Sequence, residues 1–181
     1  MKTNLTFFPL LLVMLMAMAC STPSQDVSQP EEVVQAGQSS VQDDDSQKNI
    51  VQTAIGSPDH KTLVAALKAA AYVDALSNAG PFTVFAPTDA AFAKLPEGTV
   101  ENLVKAENKS QLQDILEYHV YVGVIRESMI QNNMTLNQVN GKNVTLTKDG
   151  ERMQVNGANI IATVPTSNGI IYVTDAVLLP Q

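Results

Sequence analysis

The sequence predicts an α+β domain. Three observations carry that prediction. Apolar residues recur at helical spacing through the first half of residues 49–181. The period then changes to alternation, punctuated by Asn-Gly and Asp-Gly turn dipeptides. The helical segments are gathered ahead of the strands instead of alternating with them, which is the order of an α+β fold.

The elements follow in order. Residues 49–55 form a short helix, stopped by Gly56-Ser57-Pro58. Asp59 is placed to cap the next helix, in which Leu63, Val64, Leu67, Ala70 and Ala71 share one face. Val73 and Leu76 drift off that face, which predicts a break near residues 70–72. Gly80-Pro81 ends the helical stretch, and Phe82-Thr83-Val84-Phe85 begins a β-prone run. Thr88 and Asp89 are expected to be structural caps, accepting bonds from the orphan N–H groups of residues 90–92. Phe92 and Leu95 should face the core. After the Pro96-Glu97-Gly98 break, residues 99–105 and 109–117 read as two short helices. The first buries Val100, Leu103 and Val104, and the second Leu112, Ile115 and Leu116.

Strands fill the second half. Asn140-Gly141, Asp149-Gly150 and Asn156-Gly157 are turn dipeptides that accept positive φ. Between them, Val144, Leu146 and Lys148 share one strand face, as do Met153 and Val155. Residues 160–164, 170–174 and 176–179 follow as strands, with Asp175 expected to accept backbone bonds at a bulge or turn.

Ahead of this domain the chain reads as an address and a tether. Residues 10–19 are an apolar run behind Lys2. A spanning helix needs ~20 apolar residues, so the run has the length of a signal-peptide core. It ends in Ala17-Met18-Ala19-Cys20, which resembles a bacterial lipobox. That resemblance implies a leader over residues 1–19, cleavage before Cys20, and lipid on its thiol and new α-amine. Each buried methylene contributes ~0.8 kcal/mol, so several acyl chains would anchor the chain to a membrane firmly. Ser21 after the cysteine implies, within the same resemblance, the outer membrane. Residues 20–48 then hold the lipidated cysteine and a Ser-, Gln-, Asp- and Pro-rich spacer. Such a composition cannot offset the chain entropy lost on folding. Its Asp43-Asp44-Asp45 run lacks the glycine and distal glutamate of an EF-hand loop, so it reads as solvated spacer and not as a calcium site.

Composition narrows the function. The 181 residues carry a net charge of −7, but residues 49–181 hold 9 basic and 12 acidic residues, a net of −3. The acidity therefore sits mostly in the spacer. A nucleic-acid binder needs a basic face, and none is present in the composition. The single cysteine excludes an intramolecular disulfide and any multi-cysteine metal site. The sequence contains no G-x-S-x-G, H-E-x-x-H, P-loop or G-x-G-x-x-G motif, and only His60 and His119 supply imidazole. No catalytic residue, cofactor or metal ligand is expected.

Three segments are recognisable together. Residues 80–92 (GPFTVFAPTDAAF) resemble the first signature of fasciclin domains. Tyr118-His119-Val120 resembles the family's central tyrosine–histidine motif. Residues 168–180 (NGIIYVTDAVLLP) resemble the second signature, except that Tyr172 stands where the family usually carries histidine. The resemblance implies a β-rich wedge with several short helices packed on it, over residues 49–181 as one module. It also implies a membrane-anchored or extracellular adhesion or interaction role. Tyr118 resembles a residue implicated in receptor recognition, so Tyr118 and His119 are the expected interaction residues. The composition of the segment also allows a bland reading of His119, as a ring that pairs with backbone at a helix-to-strand junction.

The expected function is a non-enzymatic adhesion or protein-interaction lipoprotein of the cell envelope, at the outer membrane or cell surface. Its partner would be a surface, matrix or envelope protein. Two alternatives stand beside it. One is an apolar small-molecule carrier, since some fasciclin-family proteins bind carotenoids. The other is an envelope hydrolase, which would need His119 exposed in a cleft.

Overall fold

A computed structural model describes residues 47–180. The leader, Cys20 and the spacer up to residue 46 lie outside the described residues. The helices are α1 (Ile50–Gly56), α2 (Lys61–Ala69), α3 (Val73–Ser77), α4 (Asp89–Phe92), α5 (Thr99–Leu103) and α6 (Lys109–Tyr118). The strands are β1 (Phe82–Pro87), β2 (Val120–Val122), β3 (Met134–Asn137), β4 (Asn143–Asp149), β5 (Arg152–Val155), β6 (Ala158–Thr166) and β7 (Gly169–Thr174).

Local chemistry sets the helix ends. Asn49 and Gln52 form a capping box: Asn49 Oδ1 accepts the Gln52 N–H at 2.8 Å, and Gln52 Oε1 accepts the Asn49 N–H at 3.0 Å. In α2 the inward face is Leu63, Ala66 and Leu67, followed by Ala70. Each buried leucine contributes about 2 kcal/mol relative to exposure. The expected break occurs at Ala71, whose φ of 54° is left-handed and cannot continue the helix. Thr88 Oγ1 accepts the Ala91 N–H at 3.2 Å and caps α4.

Two expectations about capping and burial are corrected. Asp59 does not cap α2, whose N-cap residue is His60 with no side-chain cap bond. Asp89 supplies the acceptor instead, from the start of α4, with Oδ1 2.8 Å from the Thr62 N–H. Asp89 is thus a cap, but of a helix 27 residues upstream. The face assigned to α5 is not buried: the helix has no buried residue, and Val104 is exposed. A five-residue helix on the surface leaves Val100 and Leu103 only half covered.

One seven-stranded sheet runs β2-β1-β7-β6-β5-β4-β3. β1 and β7 are parallel, from Phe82↔Gly169 to Pro87↔Thr174, and the other pairs are antiparallel. The sheet curls until the Val139 N–H, just beyond β3, reaches the Val120 carbonyl in β2 at 2.9 Å. All six residues of β7 are buried, because both its faces are covered. Ile171 and Val173 meet α1, α2, α3 and α6, while Ile170 and Tyr172 meet the side chains of β3 to β5. This is an α+β wedge of curled sheet with short helices on one side. Residues 176–179, expected as a strand, belong to no strand pairing. The chain bends at Asp175 and Ala176 instead of continuing β7, and beyond the bend the Leu178 N–H bonds to a side chain instead of to a neighbouring strand.

Candidate functional site

The site begins where α6 ends. Helix α6 buries Leu112, Ile115, Leu116 and Tyr118. Its C-cap is His119, after which the chain turns into β2. Tyr118 and His119 therefore leave the helix on different sides of a tight junction. Both are buried, at 3% and 4% exposure.

His119 is fixed through both ring nitrogens. Nδ1–H donates to the Ile115 carbonyl at 2.7 Å, and Nε2 accepts the Leu178 N–H at 3.0 Å. A carbonyl demands a donor and an N–H demands an acceptor, so one neutral tautomer satisfies both bonds. Burial, opposed by the Ile115 bond, holds the imidazole pKa down at about 4. The ring stays neutral at pH 7 and has no lone pair left for general-base work.

Tyr118 is fixed through its hydroxyl. The O–H donates to the Asn143 carbonyl at 3.0 Å and accepts from Asn156 Nδ2 at 2.8 Å. Asn156 sits in the β5–β6 turn at φ 46°, and its Oδ1 accepts the Thr145 N–H at 2.8 Å. The tyrosine thereby ties α6 to the starts of β4 and β6. Tyr118, though buried, lines the open groove beside it, whereas the His119 ring is committed to backbone on both sides.

That groove has a volume of about 910 Å³. One wall is the β3–β4 turn with Gly141, Lys142 and Asn143. Another is the β5–β6 turn with Asn156 and Gly157, and residues 176–179 close the third side. The volume lies within the range of ligand sites. Lys142 carries the only charge among the described residues that line it. Asp175 braces the rim: its Oδ1 accepts the Asn159 N–H and its Oδ2 accepts from Asn159 Nδ2, both at 2.8 Å. Those bonds, with Lys94 nearby, hold its carboxyl below the usual range.

A second, apolar crevice lies under α4, α5 and α6, with Val177 and Leu179 on its edge and His119 at its base. Its free volume is only about 20 Å³, room for about one water. Among the described residues, no group of His, Cys, Asp and Glu is placed to hold a metal ion. No helix among them is long and apolar enough to cross a membrane. Tyr172, at the variant position of the second signature, is fully buried; its hydroxyl donates to the Ile125 carbonyl at 2.7 Å, and burial pushes its pKa up to about 12.

Comparison with known proteins fits this frame. Residues 58–180 match the Fasciclin domain. The chain belongs to the fasciclin domain family. It is 49% identical over 137 residues to Protein sll1483 of Synechocystis sp., covering 75% of this chain and 76% of that one. It is 40% identical over 109 residues to the cell surface glycolipoprotein MPB83 of Mycobacterium bovis, covering 60% of this chain and 47% of that one. The fold is shared with the FAS1 domain pair of the insect cell adhesion molecule fasciclin I, at a TM-score of 0.67 and 20% identity, over 74% of this chain and 51% of that chain. In this fasciclin domain, sequence reasoning missed Asn143, Asn156 and Gly157 as site residues. The Asn156-Gly157 dipeptide signalled a turn, but nothing local signalled that the asparagine would reach Tyr118.

Proposed function

We propose that this fasciclin protein is a lipid-anchored, extracytoplasmic binding module without catalytic activity. Its contact surface is the open groove beside Tyr118. The observation that carries the reading is the groove's position. The chain enters the domain at the β6–β7 turn, where the Lys48 carbonyl accepts the Ser167 N–H at 3.1 Å. The groove lies at the other end of β6, whose nine residues extend roughly 26 Å at strand rise. A tether attached at one end thus leaves the groove at the far end, directed away from the point of attachment.

The lipobox-like Cys20 supports the anchor, and so does the likeness to a relative named a cell surface glycolipoprotein. The near-balanced charge of residues 49–181 favours recognition by shape and hydrogen bonds over long-range steering. The apolar-carrier reading draws little support from the crevice, which is too small for a polyene as it stands. The hydrolase reading lacks an available base at His119.

Protease treatment of intact cells, with a periplasmic protein as control, tests the placement. Loss of the domain with the control intact supports a surface role in adhesion or matrix contact. Protection until the outer membrane is opened moves the role to envelope-protein binding. A Cys20→Ala variant that still partitions with membranes would end the lipid-anchor reading.

A further inference from the structure

The groove's third wall has an unusual property. Residues 176–179 alternate: the Leu178 side chain enters the core with Tyr118 and Tyr172, whereas Val177 and Leu179 line the apolar crevice. A period of two marks an extended backbone. The Leu178 N–H is committed to His119 Nε2. In an extended chain the N–H and C=O groups of the flanking residues point to the opposite edge. Among the described residues, the backbones of Val177 and Leu179 have no hydrogen-bond partner. Leu179 is also 48% exposed. His119 thus holds the segment by one edge and, among the described residues, leaves the other edge unpaired beside the groove.

We propose that this edge recognises an extended peptide by strand addition, with the peptide lying in the groove against Val177 and Leu179. The inference rests on the groove being the contact surface. The required partner is a polypeptide backbone, because only that repeats donors and acceptors at the spacing of alternate strand residues. The groove adds the remaining selectivity. Its turn glycines meet nothing within 4 Å of a built Cβ at Gly141 or Gly157, which leaves room for the peptide's side chains. Strand addition also fits the state of the segment. It is already extended and pinned at Leu178, so a partner need not supply the entropy of ordering it.

Hydrogen exchange on the full chain in detergent micelles tests the edge directly. The Leu178 amide should exchange slowly, and the Val177 and Leu179 amides rapidly. A displayed library of random linear peptides, selected on the same protein, then supplies the probe. Selected peptides should slow exchange at Val177 and Leu179. Leu179→Pro, which deletes one donor at an exposed position, should weaken them by about tenfold. Leu179→Ala, which keeps the donor, should have little effect. Asn143→Trp, which fills the groove, should abolish binding. If Asn143→Trp abolishes binding but Leu179→Pro does not, strand addition is wrong and the groove reading stands. If neither variant matters, both readings fall. Protection of Val177 and Leu179 that grows with protein concentration in the absence of peptide would overturn the assignment in favour of a second copy of the chain.

Discussion

His119 Nε2 accepts the Leu178 backbone N–H at 3.0 Å and joins two points 59 residues apart. One ring thereby links the end of α6 to the chain beyond β7. The bond explains why a histidine is buried here at all. An unpaired imidazole in the core costs free energy, whereas this ring has both nitrogens satisfied.

Stability should therefore fall in mild acid. The folded ring resists protonation, with a pKa of about 4 against an ordinary 6.5. The unfolded chain binds that proton more readily between those values. The contribution is full above about pH 6.5 and is lost as pH falls towards 4. The shift corresponds to about 3 kcal/mol. His60, held below its ordinary value chiefly by burial, adds in the same direction. Asp89 and Asp175 have lowered pKa values, so their contributions persist until the pH falls below the ordinary carboxylate range. Urea unfolding at about pH 7 and pH 4.5 should show the lower midpoint in acid. His119→Gln should be less stable at neutral pH and less pH-dependent. An unchanged pH dependence in that variant would assign the effect elsewhere.

Asp89→Ala should destabilise the domain by about 1 kcal/mol, through α2 and not through its own helix. The carboxylate accepts the Thr62 N–H at 2.8 Å and the Lys61 N–H at 3.4 Å. Burial pushes its pKa up, but the Thr62 and Lys61 bonds and the nearby His60 outweigh this and leave it lowered. Asp89→Asn keeps an acceptor and should recover most of the loss. Thr88→Ala should cost a similar amount through α4. Thermal unfolding of the three variants checks this, and a wild-type melt for Asp89→Ala would remove the cap from the account.

The α+β class was legible because helical periodicity and turn dipeptides are local signals. The break at Ala71 was legible for the same reason: Val73 and Leu76 leave the face set by Leu63 and Leu67. The Asp89 cap was half legible. Its residue type signals capping, but the choice between α4 and α2 is made by packing, which brings the two helix starts together. The groove was not legible. Its walls are turns and a chain end that each satisfy local rules, and they become one surface only through the Tyr118–Asn156 and His119–Leu178 bonds. Strand β3 was missed because its four residues bury only Leu136.

Tyr118→Phe separates architecture from contact. It removes the hydroxyl that Asn156 donates to and that bonds the Asn143 carbonyl, while leaving the ring in the core. One lost buried bond costs about 1 kcal/mol, so the unfolding midpoint of a domain this size should drop by about 3–4 °C. Peptide or partner binding at the groove should weaken as well, because Asn143 and Asn156 lose their common anchor. A variant that loses binding with its unfolding midpoint unchanged would return Tyr118 to the role of a direct contact.

Gly169→Ala should be a severely damaging small substitution. Gly169 pairs with Phe82 at the start of the parallel β1–β7 ladder, and an added Cβ would collide with the Phe82 carbonyl. The backbone there cannot retreat. The Phe82 N–H is bonded to the Asn168 carbonyl at 3.0 Å, and the Asn168 side chain holds the start of α1 and the end of α3. Its Oδ1 accepts the Ile50 N–H at 2.9 Å, and its Nδ2 donates to the Leu76 and Asn78 carbonyls at 2.8 Å. Overpacking usually costs about 1–3 kcal/mol where side chains can shift. Here the obstacle is main chain, so the cost should exceed that range and soluble protein should not accumulate. Gly157→Ala is the matched control. It meets no atom within 4 Å, but its φ of 85° is left-handed, and that strain costs about 1–2 kcal/mol. Soluble yield and far-UV circular dichroism should separate the two. Equal yields would show that the β1–β7 contact has more give than its bonding implies.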